Sequence, residues 1–124
     1  MGNSRFQKEE RLNRKKIMEE LFERGSSFSV FPLKVIFLPH PDTTKTLHQV
    51  MVSAPSKIFK KATDRNSIKR RIREGYRLNK ALLFPAPTFC VAYIYIAKEI
   101  LPSAAIHKSI RTSMERLNNY EKKN

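Results

Sequence analysis

The sequence predicts an α/β (α+β) two-layer sandwich with the element order α-β-β-β-α-β-α and a four-stranded mixed sheet. Three segments place apolar residues every three or four positions, which is typical of amphipathic helices. Four short segments are rich in β-branched and aromatic residues, which favours strands, and proline or glycine separates several of them. The 124 residues are enough for one hydrophobic core, so we expect a single domain over residues 1–124 with an ordered core at about 6–118.

The first helix is predicted over residues 11–24 and ends at Gly25, since glycine is a common C-cap residue. Glutamates alternate with basic residues on its polar positions, as on a solvated face with pairs four residues apart. The predicted buried face consists of residues spaced by three and four: Leu12, Lys16 through its aliphatic stem, Ile17, Met18, Leu21 and Phe22.

Three strands are predicted next. Residues 28–31 and 33–38 are short and rich in aromatic or β-branched side chains, and Pro32 bends the chain between them. A turn-rich loop over residues 39–44 leads to a third strand at 47–54.

The second helix begins after a suitable N-cap, Thr63 or Asp64, and runs to about Asn79. Its apolar stripe recurs every four residues and consists of Ile68, Ile72 and Tyr76. We expect Arg65 and Lys69 on the solvent side of this stripe.

The fourth strand, at residues 88–97, contains the only cysteine, Cys90, which we expect to be a small buried apolar residue. Pro102 and Ser103 open the last helix. Its predicted buried face consists of Ile106, Ile110, Met114 and Leu117. A helix between the third and fourth strands predicts a βαβ crossover.

Residues 57–80 concentrate the positive charge of the chain. They contain ten Lys or Arg and two acids, a net charge of 10 − 2 = +8 out of +14 for the whole sequence. A polyanion compensates such a density best, because its condensed counterions are released on binding. The usual alternative is a solvated helix face, but it needs acids four residues apart, which are missing here. The segment predicts contact with nucleic acid and does not distinguish RNA from DNA.

Other classes of function lack support in the sequence. No apolar run approaches the ~20 residues of a membrane-spanning helix, and no signal peptide is recognisable, so we expect a cytoplasmic protein. His40, His48 and His107 lack the spacing of metal ligands, and the acids form no catalytic pair. We therefore expect no catalytic residue and no metal ligand in this chain.

Residues 56–78 read Ser-Lys-Ile-Phe-Lys-Lys-Ala-Thr-Asp-Arg-Asn-Ser-Ile-Lys-Arg-Arg-Ile-Arg-Glu-Gly-Tyr-Arg-Leu. This segment resembles the signature of the bacterial ribonuclease P protein subunit. That signature is Lys-x-x-x-x-Ala-x-x-Arg-Asn-Arg-Ile-Lys-Arg, followed by Arg-Glu and an aromatic-Arg pair. The start of the chain also resembles the family's opening helix and next strand, through Arg11-Leu12, Leu21-Phe22, Gly25 and residues 32–35. The similarity extends over roughly residues 6–118.

The sequence departs from the family pattern at several positions. Ser67 replaces the third residue of the Arg-Asn-Arg motif, so one RNA contact is either lost or supplied by Arg71. Met18 stands where the family has the first aromatic residue of its opening helix. Ile36 stands where the family often has a tyrosine on the second strand. The usual glycine before the third strand's Ser/Thr-x-Ser/Ala-Lys run is also absent.

The resemblance implies a protein cofactor of an endoribonuclease whose catalytic centre belongs to its RNA subunit. The expected partners are the ribonuclease P catalytic RNA and precursor tRNA, with no membrane and no obligate protein partner. The expected metal is Mg²⁺, held mainly by the RNA. The resemblance also implies a ribosomal protein S5 domain 2-like fold with a left-handed βαβ crossover, against the usual right-handed rule.

By the same resemblance, the basic helix and the loop before it face the catalytic RNA. The candidate RNA-binding residues are Lys57, Lys60, Lys61, Arg65, Asn66, Lys69, Arg70 and Arg73. A groove between the first helix and the sheet would take the single-stranded 5′ leader of precursor tRNA. The candidate leader-binding residues are Arg14, Met18, Phe22, Lys34 and Ile36. For Met18, Phe22 and Ile36 the alternative is ordinary core packing.

Two other functions stay open. A small basic ribosomal or ribosome-assembly protein would have the same character without a role in cleavage. A nuclease with its own active site is disfavoured, because the sequence lacks an acidic or histidine cluster that would hold a metal.

Overall fold

The helices and strands follow the predicted order in the computed structural model, which describes residues 6–42 and 44–120. The elements are α1 Lys15–Arg24, β1 Ser26–Val30, β2 Leu33–Pro39, β3 Gln49–Ser53, α2 Ala62–Asn79, β4 Phe89–Tyr95 and α3 Ser103–Asn118. Two short 3-10 turns, Lys8–Glu10 and Lys80–Leu82, were not predicted. No helix in the described part of the chain is both long and apolar enough to span a bilayer.

The four strands form one mixed sheet in the order β1-β2-β4-β3. The β1–β2 and β2–β4 pairs are antiparallel, whereas β3 and β4 are parallel. Parallel neighbours need a crossover connection, and α2 supplies it. The predicted mixed sheet with a βαβ crossover is confirmed, and the handedness of the crossover stays a prediction.

The first helix begins later than the sequence indicates. Arg11 forms a parallel bridge with Val50, and the Leu12 N–H donates to the Val50 carbonyl at 3.0 Å. Because β3 uses these backbone groups, the segment before Lys15 is extended and the helix begins there. The predicted start at residue 11 was wrong.

The second helix begins slightly earlier than predicted. The N–H groups of Asp64 and Arg65 both donate to the Lys61 carbonyl, which places the N-cap at Lys61, without a side-chain cap. The expected N-caps Thr63 and Asp64 therefore lie inside the first turn. Backbone hydrogen bonds to the Lys61 carbonyl, and not a capping side chain, define the start of α2.

The main core lies between the sheet and the layer formed by α2 and α3. The predicted stripes on both helices are buried: Ile68, Ile72, Tyr76, Ile106, Ile110, Met114 and Leu117. The two helices approach closely at Gly75, where a Cβ atom would lie 2.7 Å from His107 Cδ2 and from Ile110 Cδ1. These two layers form the predicted sandwich.

Helix α1 lies against the opposite face of the sheet and covers part of it. Its buried cluster consists of Leu12, Ile17, Leu21, Ile36, Cys90 and Ala92. Gly25 follows α1 as predicted, and a Cβ atom there would clash with the Leu21 carbonyl oxygen. Cys90 is fully buried, as expected, and burial raises the pKa of its thiol to about 12.

Candidate nucleic-acid interface

The loop before α2 and the outer face of α2 carry cations that no acid neutralises. Five cations and one amide, named here the basic stripe, lie exposed or partly exposed: Lys57, Lys60, Lys61, Asn66, Lys69 and Arg70. In the described residues none of these five cations forms an ion pair. The helical repeat places residues 66, 69 and 70 beside or opposite the buried stripe of Ile68 and Ile72. The basic stripe therefore carries positive charge that no ion pair within the described residues neutralises.

Arg65 has a different environment from the basic stripe. Its Nη1 donates to the carbonyls of Phe59 at 2.8 Å and Lys60 at 2.9 Å. The side chain thus folds back onto the loop before α2 and stays partly exposed. It holds the backbone that carries Lys60 and Lys61.

Arg71 lies on the flank of α2 that faces α3. Its Nη1 donates to the Leu101 carbonyl at 2.7 Å, which ties α2 to the segment before α3. Of the two alternatives for the departure at Ser67, this geometry favours a lost contact, because Arg71 is engaged elsewhere.

Beside α1, part of the sheet face is uncovered. The flank of α1 that carries Arg14 and Glu20 faces Pro41, just beyond the end of β2. The opposite flank, with Met18 and Phe22, therefore faces the other end of the strands. There, exposed Lys34 of β2 pairs with partly buried Ile94 of β4. We infer an open strip between Met18 and Phe22 of α1 and Lys34 and Ile94 of the sheet, and we call it the α1 groove.

The candidate leader-binding residues divide between three environments. Met18 and Phe22 line one open depression, and Phe22 is 49% exposed, so it is not a core residue. Ile36 is only 9% exposed and belongs to the cluster under α1, which leaves little surface for a ligand. Arg14 lines a separate depression on the far flank of α1. The structure thus brings together Met18 and Phe22, with Lys34 on the same side of the sheet.

The charges around Phe22 have mixed sign. Glu19 and Glu23 line the same depression as Phe22, together with Lys15. A phosphate backbone would be repelled by these carboxylates and attracted by Lys15 and Lys34. This arrangement suits a base on the ring of Phe22 with its phosphates directed toward the sheet.

Sequence reasoning did not group Arg11 with Arg73, yet the structure does. Both line a depression at the β3 edge. The Arg11 Cζ lies 5.6 Å from the centre of the Phe6 ring. Burial, and secondarily the Arg11 guanidinium, lower the pKa of Arg73 below its usual value. The sequence does not indicate that Arg11 lies near Arg73, because their proximity depends on the bridge between Arg11 and β3.

The ionisable groups in the described ranges do not assemble into a metal site. No three His, Cys, Asp or Glu side chains lie together in residues 6–42 and 44–120. The buried carboxylate of Glu10 accepts from Lys80 Nζ at 2.9 Å, which joins the segment before α1 to the end of α2.

Known proteins resemble this chain along most of its length. The sequence profile of the family described as Ribonuclease P matches residues 6–118. A "Ribonuclease P protein component" of Porphyromonas gingivalis is 29% identical over 115 residues, which cover 89% of this chain and 84% of that protein. Another, from Picosynechococcus sp., is 33% identical over 92 residues, which cover 74% of this chain and 77% of that protein.

Solved structures share the fold. The ribonuclease P protein of Thermotoga maritima superposes with a TM-score of 0.71 at 23% identity, covering 91% of this chain and 99% of that one. The Staphylococcus aureus protein gives a TM-score of 0.71 at 19% identity, covering 86% of this chain and 94% of that one.

Proposed function

We propose a function on one premise: the chain belongs to the ribonuclease P protein family, whose profile matches residues 6–118. Its curated relatives are named as the protein component of ribonuclease P, a tRNA-processing endoribonuclease. We infer that this chain is likewise part of such a holoenzyme and has an RNA partner. Within the holoenzyme it is a cofactor that binds the catalytic RNA and the 5′ leader of precursor tRNA and assists removal of that leader.

The observation that carries this proposal is the basic stripe, which lies within the family match. Cations held along a loop and a helix suit the phosphates of a folded RNA, and contacts of this kind position a protein without reading sequence. Asn66 adds a donor and an acceptor for sugar or base edges. Arg65 supports the surface by bracing the carbonyls of Phe59 and Lys60.

The α1 groove is the proposed leader site. A leader of any sequence must be held without base-specific hydrogen bonds, and stacking on an aromatic ring beside a few cations achieves this. Phe22 offers an exposed ring, Met18 an apolar surface, and Lys34 a charge on the same side of the sheet. Met18 stacks less well than an aromatic residue, so Phe22 carries most of the stacking.

Mg²⁺ would be held mainly by the RNA. Mg²⁺ prefers carboxylate and other oxygen ligands, whereas the basic stripe offers cations and one amide. The residues of the interface therefore do not fit a resident Mg²⁺ site. What this chain supplies is positive charge, which offsets repulsion between the catalytic RNA and the substrate RNA and so reduces the demand for free Mg²⁺.

Reconstitution tests the proposal. Precursor tRNA cleavage is measured at limiting Mg²⁺ with the protein alone, the catalytic RNA alone and both together. We expect no cleavage by nuclease-treated protein, slow cleavage by the RNA and a large stimulation when they are combined. Absence of stimulation, or cleavage by RNA-free protein, would contradict the proposal. RNA that co-purifies with the protein should be one RNA of a few hundred nucleotides, and ribosomal RNA in its place would favour the ribosomal alternative.

A further inference from the structure

An exposed apolar surface lies where α2 ends. Leu78 is on the last turn of α2, Leu82 is on the 3-10 turn that follows, and Phe84 lies just beyond it. Their exposed fractions are 54%, 51% and 59%. We call these three residues the apolar patch. Leu78 and Leu82 are four positions apart, so they share one side of the helical path. Clustered exposed apolar side chains, unlike single ones, mark interaction sites.

Hydrogen bonds hold the apolar patch in place. The side chain of Asn118, at the end of α3, donates from Nδ2 to the Leu82 carbonyl at 2.8 Å and accepts at Oδ1 from the Phe84 N–H at 2.8 Å. The Phe84 carbonyl in turn accepts from His48 Nε2 at 2.8 Å. The backbone that carries Leu82 and Phe84 is thus fixed to two other parts of the fold. Such preorganisation lowers the entropic cost of binding a partner.

The cations that neighbour the apolar patch in sequence are neutralised. Arg77 pairs with Glu74, and Lys80 pairs with the buried Glu10. The patch therefore offers little charge to a phosphate, in contrast to the basic stripe. Its two leucines also provide poor surfaces for stacking a base, since they lack an aromatic face. These properties favour a protein partner over a nucleic acid.

Arg111 of α3 is an exposed cation without an ion pair in the described ranges. It follows His107, which packs against α2, by one helical turn, and it precedes Asn118, which holds the apolar patch, by two. This spacing places Arg111 on the flank of α3 that faces the side of α2 with Leu78. An acidic side chain of a partner would find a charged donor there.

A second copy of this chain suits the apolar patch less well than another protein does. Each copy carries a net charge of +14, so two copies repel each other, whereas an acidic protein is attracted. Three half-exposed side chains also provide far less than the ~800 Å² per partner that a stable interface between folded subunits needs. The limited area suits a short segment that lays a few apolar side chains on the surface, as in the recognition of an amphipathic helix.

We propose that the apolar patch docks a short acidic amphipathic segment of another protein, whose apolar side chains contact the patch and whose acidic side chain pairs with Arg111. The patch begins about 12 Å farther along α2 than Arg70 of the basic stripe, on the flank toward α3. The segment can therefore bind while RNA occupies the basic stripe. The inference does not depend on the proposed leader role of the α1 groove.

Selection from a displayed library of random peptides of about 16 residues, enough for several helical turns, tests the proposal on the full chain. Excess polyuridylate in the buffer covers the basic stripe. The patch variant is Leu78→Gln/Leu82→Gln/Phe84→Gln. The matched control removes three exposed apolar side chains near the end of β4, whereas Phe84 precedes the start of that strand, and it is Phe31→Gln/Ile96→Gln/Ile100→Gln. Thermal melting verifies that each variant is folded.

The peptides enriched on the parent should combine large apolar residues at helical spacing with Asp or Glu. Their affinity should fall at least about tenfold on the patch variant, because the apolar anchors are lost, and stay unchanged on the control. Absence of such enrichment on the parent, or equal affinity for the patch variant, would overturn the proposal.

A charge exchange at Arg111 provides a measurement that leaves the apolar patch intact. Arg111→Glu should weaken binding of the selected peptides about tenfold, since an attractive pair becomes a repulsive one. Replacing the acidic residue of the peptide by Lys should restore the affinity for this variant and lower it for the parent. Peptides that bind equally in all four combinations would overturn the acidic chemistry proposed for the partner.

Two further measurements distinguish the classes of partner. Sedimentation of the parent over a range of concentrations should show a monomer, and dimers that the patch variant does not form would assign the surface to a second copy and overturn the proposal. Titration with the catalytic RNA should give the same affinity for the parent and the patch variant. A loss of RNA affinity in the folded patch variant would assign the surface to RNA and overturn the proposal as well.

Discussion

At the residue scale, exposure separates two neighbours on α1. Leu21 is fully buried under the helix, whereas Phe22 is 49% exposed. A large aromatic ring left half in water, on a helix that buries Ile17 and Leu21, suits a ligand-binding role. Core packing, the alternative for Phe22, does not describe this environment.

We predict that Phe22→Ala weakens binding only to substrates with a leader. Loss of one stacked base costs about 1–3 kcal/mol, or roughly five- to 150-fold in affinity for precursor tRNA. Binding of mature tRNA and the melting temperature should change little. The control Leu21→Ala should lower the free energy of unfolding by about 2–5 kcal/mol. An equal affinity loss on both substrates would exclude the groove role of Phe22.

His48 is held as a neutral imidazole. Its Nδ1 accepts from the Phe89 N–H at 2.9 Å, and its Nε2 donates to the Phe84 carbonyl at 2.8 Å. Desolvation by burial lowers the pKa of His48, partly offset by the Phe84 carbonyl and by Glu10. Protonation would place a hydrogen on Nδ1 and break the bond from Phe89.

This environment predicts a loss of stability in mild acid. The folded-state pKa lies below the unfolded value of 6.5, so the unfolded chain binds the proton first. The contribution of neutral His48 to the free energy of unfolding is therefore fully present above about pH 6.5. It declines as the pH falls from there toward the folded pKa, by at most about 1.4 kcal/mol per pH unit. Denaturant unfolding between pH 8 and pH 5 should show the decline. His48→Gln should flatten it, and an unchanged profile in that variant would contradict the assignment.

At the element scale, α2 combines a structural and a ligand-facing role on different residues. Arg65 braces the preceding loop, Arg71 anchors the segment before α3, and Lys69 and Arg70 contact no described acid. The basic character of α2 is thus shared between folding and binding.

Variants should separate these roles. Lys69→Ala/Arg70→Ala should flatten the dependence of log RNA affinity on log salt by about one to two units without a fall in melting temperature. Arg65→Ala should also lower stability, by about 1–3 kcal/mol, because two carbonyls lose a charged donor. Salt titrations and melting of both variants decide the matter. A salt slope that the double variant leaves unchanged would exclude this face of α2 from the RNA contact.

The contact between α2 and α3 depends on Gly75. Alanine favours a helix over glycine by about 1 kcal/mol, but overpacking a filled contact costs about 1–3 kcal/mol. With His107 and Ile110 each 2.7 Å from the new Cβ, we expect overpacking to dominate, and Gly75→Ala to destabilise the fold by about 1–2 kcal/mol. The control Ser67→Ala, on a partly exposed position of α2, should have no destabilising effect. Stabilisation by Gly75→Ala in denaturant unfolding would show that α2 and α3 can separate slightly.

At the scale of the whole molecule, self-repulsion dominates the electrostatics. The net charge is +14 in 124 residues. The exposed ion pairs, such as Arg24–Glu20 at 3.2 Å, contribute only about 0–1 kcal/mol each. Screening therefore removes more repulsion than attraction from the free protein.

We predict that the melting temperature of the RNA-free protein rises with NaCl, since the Debye length shrinks from about 30 Å at 0.01 M to about 8 Å at 0.15 M. The triple variant Lys57→Gln/Lys60→Gln/Lys61→Gln should melt at a higher temperature than the parent in low salt and respond less to added salt. A fall in melting temperature with salt would mean that ion pairs, and not repulsion, govern the stability of the free chain.

The sequence alone determined the order of the elements, the apolar stripes of α2 and α3, the basic segment and the family motif. These features are readable because each depends on residues a few positions apart, within one helical turn or one strand. The basic stripe was predicted for the same reason, since its members lie within residues 57–70.

Only the tertiary structure decided the strand order, the late start of α1, the bracing role of Arg65 and the separation of Arg14 from Phe22. It also brought Arg11 and Arg73 together, because backbone pairing with β3 places the segment before α1 beside α2. Such contacts join residues far apart in the chain. They depend on how the sheet aligns its strands and which face each helix covers, and local periodicity carries no information about either.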